Sequence, residues 1–227
     1  MGTIKRRRFL QYSGLGSAAW AFGRACAAWV QDNPLLNLKD DGYRGIWYFN
    51  QPSGDEYVYK YSGGLGTYCA NHIPHAVCAP EVEKTFFVYG GTTKDANDKL
   101  IHMVSYYDHR AGVVPRPTIL LDKQTSDAHD NPVLSIDDAG YLWVFSSSHG
   151  TSRPSYISKS RKPYDIDAFD LVYTGNYSYP QPWHVPGKGF LFLHTIYKQG
   201  RTVCMATSPD GLTWSETRLL AYIDEGH

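Results

Sequence analysis

The chain has 227 residues, and its 22 lysines and arginines are balanced by 22 aspartates and glutamates. A net charge of zero gives no electrostatic ground for a nucleic-acid partner. Aromatic residues make up 15% of the chain, and 21 glycines and 13 prolines mark many turns. This length and composition suit one all-β domain or two small ones.

The N-terminal segment has the pattern of an export signal. Consecutive arginines at Arg6–Arg8 precede Phe-Leu, a short stretch rich in glycine and alanine, and the exit Ala25-Cys26-Ala27. We interpret residues 1–27 as a twin-arginine-type signal, which predicts a periplasmic or extracellular protein. The apolar stretch is too short to form a stable membrane span. A lipoprotein anchor at Cys26 fits less well, and a disordered basic terminus is the alternative.

Residues 28–41 are polar and irregular, and we expect a linker there. Cysteine and histidine then recur at every third position, at Cys69, His72, His75 and Cys78. Zinc needs four ligands that converge tetrahedrally, and Pro74 breaks any helix that would align these side chains. We therefore favour a loop with incidental histidines and assign no metal, leaving a structural divalent ion as an open alternative. The three cysteines outside the signal cannot all pair, so we expect no disulfide framework.

Three segments repeat the same order of parts, each a proline-marked start followed by four short β-rich runs. The starting prolines stand at positions 80, 132 and 182, with spacings of 52 and 50 residues. Four short strands at such a period are the signature of propeller blades. We predict an all-β β-propeller of four-stranded antiparallel blades, near residues 42–75, 76–125, 126–175 and 176–227. About four blades make an incomplete ring, so we expect a fragment of a longer protein.

The third repeat carries a specific turn. Residues 208–214 read SPDGLTW, which matches the Asp-box, S-x-D-G-x-T-W, of sialidase-type blades. The Asp210 carboxylate can cap backbone N–H groups of the turn, Gly211 can take a positive φ, and Trp214 can fill the gap between strands. The motif predicts a turn between the third and fourth strands of that blade.

The second repeat holds two histidines at matched places. The run PVLSIDDAGYLWVFSSS predicts a hairpin, with His129 before its first strand and His149 after its second. Antiparallel strands joined by a tight turn bring their far ends side by side. We therefore expect both imidazoles at the same end of one sheet, a suitable place for acid–base chemistry.

Together with the Asp-box, the segments APEVEKTFFVYGGTT, DAHDNPVLSIDDAGYLWVFSSSHG and YSYPQP resemble secreted bacterial-neuraminidase-repeat propellers. That group includes the ulvan lyases of polysaccharide lyase families 24 and 25, and the resemblance covers residues 42–227. It implies catalytic roles for His129, His149 and Arg201. The catalytic tyrosine of that pattern matches Tyr179 best, with Tyr197 as the rival.

The chemistry of these residue types agrees with the resemblance. β-Elimination from a uronic-acid polysaccharide needs a cation beside the C6 carboxylate, a base for the C5 proton and an acid for the departing O4. Arginine pairs with carboxylates in a bidentate fashion, whereas histidine and tyrosine can exchange protons. We predict a secreted lyase that acts on an ulvan-like acidic polysaccharide and requires no cofactor. The expected catalytic residues are His129, His149, Tyr179 and Arg201, converging at one end of the propeller. The expected substrate-binding residues are Asn131, Gln181 and Tyr197.

Two other classes of function stay open at this point. A sialidase-like glycoside hydrolase would need a carboxylate pair and arginines for its acidic sugar, for which Asp127, Asp130 and Arg116 are candidates. A non-catalytic glycan-binding propeller is the third class. His194 lies on an apolar run, where we expect packing and assign no role. The sequence leaves the exact polysaccharide and the oligomeric state undetermined.

Overall fold

The computed structural model describes residues 33–40, 51–52, 59–61, 72–92, 99–197 and 201–223. Within these ranges the chain forms antiparallel β-structure, and its only helical pieces are 3₁₀ turns at Pro80–Val82 and Ala128–Asp130. None of the described segments is a helix long and apolar enough to cross a membrane. The predicted export signal, residues 1–27, and most of the first predicted blade, residues 42–75, lie outside the described residues.

The first large sheet follows these early segments. Three short strands come before it: β1 (Leu38–Lys39), β2 (Gln51–Pro52) and β3 (Tyr59–Tyr61). The sheet itself contains β4 (Ala76–Ala79), β5 (Lys84–Thr92), β6 (Leu100–Asp108) and β7 (Thr118–Asp122). Strand β1 joins it as a fifth, outer strand through pairing of Leu38 with Ile119. Part of the stretch that we expected to be a linker therefore forms a sheet edge, because its backbone pairs with β7.

The second and third sheets are four-stranded antiparallel meanders. The second contains β8 (Pro132–Ile136), β9 (Leu142–Ser146), β10 (Ser155–Ser160) and β11 (Phe169–Gly175). The third contains β12 (Ser178–Val185), β13 (Gly189–Tyr197), β14 (Arg201–Ser208) and β15 (Arg218–Ile223). In both sheets the strands lie side by side in chain order. The predicted all-β, propeller-like fold with blades at the three repeats is confirmed.

Apolar side chains on both faces of the second sheet hold the blades together. Successive residues of a strand point to opposite faces, so neighbours in sequence reach different blades. Leu134 and Val144 pack with residues of β5 and β6, whereas Val133 and Phe145 pack with residues of β13. The Phe145 ring lies 5.0 Å from that of Phe192 between centroids, and both side chains are fully buried. Burial on two faces explains why these strands read as continuous apolar runs.

The Asp-box forms the turn between β14 and β15. One carboxylate oxygen of Asp210 accepts hydrogen bonds from the backbone N–H groups of Leu212 (2.9 Å) and Thr213 (2.7 Å). Gly211 has a φ of 74°, and a Cβ at this position would approach the Trp143 ring to 2.4 Å. The glycine is therefore required both by the backbone conformation and by contact with the neighbouring blade.

Candidate active site

The β8–β9 hairpin carries His129 and His149 at one end of the second blade. Pro132 pairs with Ser146, so the residues just outside the hairpin emerge next to each other. The two imidazole rings stack with their centroids 3.9 Å apart and their planes only 13° from parallel. The side chain of His129 is largely buried, whereas that of His149 is 35% exposed. The hairpin thus presents two adjacent imidazoles at one edge of the sheet.

A single carboxylate orients both rings. The Nδ1 atom of His129 lies 2.6 Å from Oδ1 of Asp127, and Nδ1 of His149 lies 2.9 Å from Oδ2 of the same residue. Burial alone would raise the pKa of Asp127, but the hydrogen bonds from the two histidines hold it below its ordinary value. An ionised carboxylate only accepts hydrogen bonds, so both Nδ1 atoms carry protons. The Nε2 atoms are therefore the nitrogens at which neutral rings can accept a proton.

His129 is held in the neutral form. Burial lowers its pKa, and this effect outweighs the opposing attraction of Asp127. A neutral imidazole with a protonated Nδ1 has a basic Nε2, which is the state required of a general base.

The loop that carries these groups is fixed from several sides. The Ser147 hydroxyl donates to the His129 carbonyl over 2.6 Å, and Nε2 of the buried His102 donates to the Asp130 carbonyl over 2.8 Å. The backbone N–H of His149 donates to the Asp130 carboxylate over 2.8 Å. These hydrogen bonds join the segments before β8 and after β9, so the two histidines sit on a rigid support.

The third blade adds Tyr179 to the same place. Its ring lies 5.7 Å from that of His129 and 6.4 Å from that of His149, between centroids. Tyr179 has a φ of 50°, a conformation that is costly for a residue with a side chain, and it sits where the β12–β13 register shifts. Bulges of this kind redirect side chains near active sites. The strained backbone turns the tyrosine towards the histidine pair.

Arg201 and Tyr197 complete the cluster from the β13–β14 hairpin. They pair directly across its strands. The Arg201 guanidinium lies 4.2 Å from the Tyr179 ring centroid, and the Tyr197 hydroxyl lies 3.2 Å from the Tyr179 hydroxyl. A cavity of about 290 Å³ opens beside Tyr179, Arg201 and Gln181. This arrangement places a fixed positive charge and two phenols next to the imidazoles.

Six of the seven predicted site residues therefore lie in or beside one cluster. Asn131 differs in that it is fully buried, with a relative exposure of 0%. His194 is 2% exposed and stacks on Phe192 with centroids 4.5 Å apart, although it also borders the cavity. The structure thus buries Asn131 completely and places His194 in the blade core.

Sequence reasoning missed two members of this region. Asp127 was considered only for a carboxylate pair, although its position two residues before His129 is typical of a local side-chain hydrogen bond. His72 comes from the segment before β4, and its ring lies 5.3 Å from that of Tyr179. It is fully buried, and burial lowers its pKa to about 3, so it is neutral near pH 7. Of the other residues in its spacing pattern, Cys78 is exposed on β4 and Cys69 lies outside the described residues.

Asp127, His129 and His149 also have the donor types of a metal site, with one donor atom from each within 4.8 Å of the others. Ring nitrogens bind metals along lone pairs in the ring plane, and metal–nitrogen distances are about 2.0–2.1 Å. With two parallel rings stacked 3.9 Å apart, an ion between the Nδ1 atoms would lie far outside both planes. The observed arrangement suits proton transfer better than a shared metal ion.

The residues considered for a glycoside hydrolase are engaged elsewhere. Asp130 is fully buried and accepts hydrogen bonds from Arg153 and from backbone. Arg116 lies between β6 and β7, at the opposite end of the blade, where its Nε donates to the Asp40 carbonyl over 2.6 Å. Asp127 and Asp130 therefore do not form an accessible acid–base pair, and Arg116 is remote from them.

Comparison with known proteins agrees with this architecture. The family model described as "BNR repeat-containing family member" matches residues 90–226. A solved structure of a PL25 ulvan lyase is similar with a TM-score of 0.61 and 17% identity, over 79% of this chain and 42% of that one. A second structure, of a PL25 ulvan lyase bound to -[GlcA(1-4)Rha3S]-, matches with the same values. No curated protein matches significantly.

The chain spans less than half the length of these lyases, and at this identity the likeness concerns the fold. It confirms the resemblance to bacterial-neuraminidase-repeat propellers and ulvan lyases that the sequence segments predicted. The family model covers more than half of the chain. This protein belongs to the BNR repeat-containing family.

Proposed function

We propose that this protein is a polysaccharide lyase that cleaves an ulvan-like, uronic-acid-containing polysaccharide by β-elimination. The observation that carries the proposal is the convergence of two carboxylate-oriented imidazoles, a tyrosine and an arginine at one end of the blades. The fold likeness to ulvan lyases, one of them bound to a glucuronic-acid-containing saccharide, supports the choice of substrate class.

Each group has a defined task in this reaction. Arg201 pairs with the C6 carboxylate of the uronic acid, which makes the C5 proton more acidic. An imidazole Nε2 of the histidine pair takes that proton, and the electron pair at C5 forms the C4–C5 double bond. The C4–O4 bond breaks, and the Tyr179 hydroxyl gives its proton to O4. The phenolate then regains a proton as the imidazolium loses one.

The test is the appearance of an unsaturated uronate, which absorbs in the ultraviolet, when the full chain is mixed with ulvan. We expect Tyr179→Phe to reduce the rate about 10²–10⁴-fold, because proton transfer contributes that much. We expect Arg201→Ala to reduce the rate about 10–100-fold, because a hydrogen bond to a charged group contributes about 1.5–3 kcal/mol. Matched controls are Tyr107→Phe and Arg161→Ala, whose side chains are exposed at the other end of the blades.

The outcome separates the classes of function. Saccharide binding without a new double bond would favour a glycan-binding propeller, and hydrolysis of a sialylated or neutral glycan would favour a hydrolase. Either result, or full activity in Tyr179→Phe, would overturn the proposal. The steps above use protein side chains alone, so we expect activity to persist after treatment with EDTA.

We also propose that the protein acts outside the cytoplasm, where a polymeric substrate is accessible. The arginine-rich segment 1–27 supports this location. Mass spectrometry of the exported fraction should find a mature chain that starts near residue 28. An intact chain beginning at Met1 in that fraction would contradict it.

A further inference from the structure

Two cations lie behind the histidine pair. Arg153 donates from Nε to Oδ2 of Asp130 over 2.9 Å and from Nη2 to Oδ1 over 3.1 Å. Its Nη2 also lies 3.5 Å from Oδ2 of Asp127. The Lys123 ammonium lies 3.5 Å from Oδ2 of Asp130. The side chains of Asp130 and Lys123 are almost fully buried, so screening by solvent is weak there.

The charges of the two carboxylates and the two cations in this cluster cancel one another. Asp127 and Asp130 bring two negative charges, and Lys123 and Arg153 bring two positive charges. Hydrogen bonds to Asp130 raise the pKa of Arg153, so the guanidinium stays charged. Burial lowers the pKa of Lys123 to about 8, which still leaves the ammonium charged where imidazoles titrate.

The other described groups around the pair add no negative charge. Burial lowers the pKa of His72, His75 and His102, so these imidazoles are neutral near pH 7. On the side of the third blade, Arg201 adds a positive charge above the Tyr179 ring. Without Lys123 and Arg153, the two carboxylates would attract a proton to the imidazoles.

We propose that Arg153 and Lys123 are positioning residues that keep the histidine pair uncharged and thereby able to accept a proton. The inference rests on the proposed function for its catalytic meaning, but the protonation state can be measured without activity. Arg153 and the His149 ring are separated by a single carboxylate oxygen, since both contact Oδ2 of Asp127. At such a distance one charge changes the proton affinity of a partly buried ring by about tenfold or more.

The experiment follows the histidine resonances of the full chain by NMR during a pH titration. The signals of His129 and His149 are assigned from His129→Gln and His149→Gln. In Arg153→Gln and in Lys123→Met we expect the pair to bind a proton about tenfold more tightly, so that it titrates roughly one pH unit higher. Arg153→Lys keeps the charge and should restore the titration of the wild type. Arg161→Gln, at the far end of the blade, is the control for charge.

The acidic limb of the lyase pH–rate profile should move up by the same amount in the two neutral variants. A purely structural role would change the melting temperature and leave the titration of the histidines in place. Unchanged titration in a folded Arg153→Gln protein would overturn the inference. If either Arg153→Gln or Lys123→Met does not fold, the titration of the other variant decides the outcome. Absence of lyase activity with shifted titration would reject the proposed function and keep this inference.

Discussion

Replacing Asp127 by asparagine tests whether one carboxylate sets the tautomers of both histidines. Oδ1 accepts two hydrogen bonds, from the backbone N–H and from Nδ1 of His129, at 3.0 and 2.6 Å. Oδ2 faces Nδ1 of His149 and the Arg153 guanidinium. The carbonyl of the introduced amide should stay on the Oδ1 side, because the backbone N–H there can only donate and is close, at 3.0 Å, whereas the Arg153 contact with Oδ2 is 3.5 Å long. The NH₂ group should then point towards His149, whose ring can change its tautomer.

The consequences differ between the two rings. A hydrogen bond to a charged group contributes about 1.5–3 kcal/mol, so the carboxylate favours the Nδ1–H form of each ring by roughly 10–100-fold. In Asp127→Asn, His129 keeps an acceptor, whereas His149 meets a donor. We expect the proton of His149 to move to Nε2, which removes its ability to accept the C5 proton. The expected loss in lyase rate is about 10²–10⁴-fold.

The assay combines ¹⁵N chemical shifts, which distinguish the tautomers, with the rate of unsaturated uronate formation. Asp122→Asn is a matched control, because this carboxylate lies at the end of β7 and accepts from the nearby Gln124 backbone. Unchanged tautomers in both rings would refute the reasoning about hydrogen bonds. A switched His149 tautomer with less than a tenfold loss in rate would assign the proton transfer to His129.

Two further predictions concern stability. Phe192→Ala should lower the free energy of unfolding by about 3–5 kcal/mol in urea titrations, because the fully buried ring joins the second and third blades. The control Leu220→Ala removes an exposed side chain and should change the free energy of unfolding little. A loss of less than about 1 kcal/mol for Phe192→Ala would contradict the role of this ring between the second and third blades. Hydrogen bonds from the backbone, chiefly from Thr213, lower the pKa of Asp210 below its ordinary value of 3.8. The stabilisation that this carboxylate provides is therefore complete above pH 3.8 and is lost as the pH falls through the lowered pKa. The melting temperatures of wild type and Asp210→Asn should thus differ at neutral pH and converge in acid, and a gap that does not depend on pH would refute this cause.

The blades could be predicted from the sequence because their cause is local and periodic. A strand that is buried on both faces favours apolar residues along most of its length, as in β9, and turns favour residues such as glycine, proline and aspartate. Asp210 and Gly211 likewise predict their turn from the sequence, because the carboxylate caps backbone N–H groups and the glycine takes a positive φ. The placement of His129 beside His149 also follows from hairpin pairing alone, since register decides which ends meet.

Only the tertiary structure decided which groups surround these histidines. Lys123, Arg153 and His72 reach the site from separate segments, and no spacing in the chain specifies how neighbouring blades rotate against one another. The orientation of Tyr179 comes from a register shift with a positive φ, a local strain that the packing of β12 against β13 maintains. Asn131 was expected to bind the substrate, but the structure buries it completely, and its burial depends on how the loop before β8 folds. Periodicity thus determined the sheets, whereas packing between them determined the charges and orientations of the candidate active site.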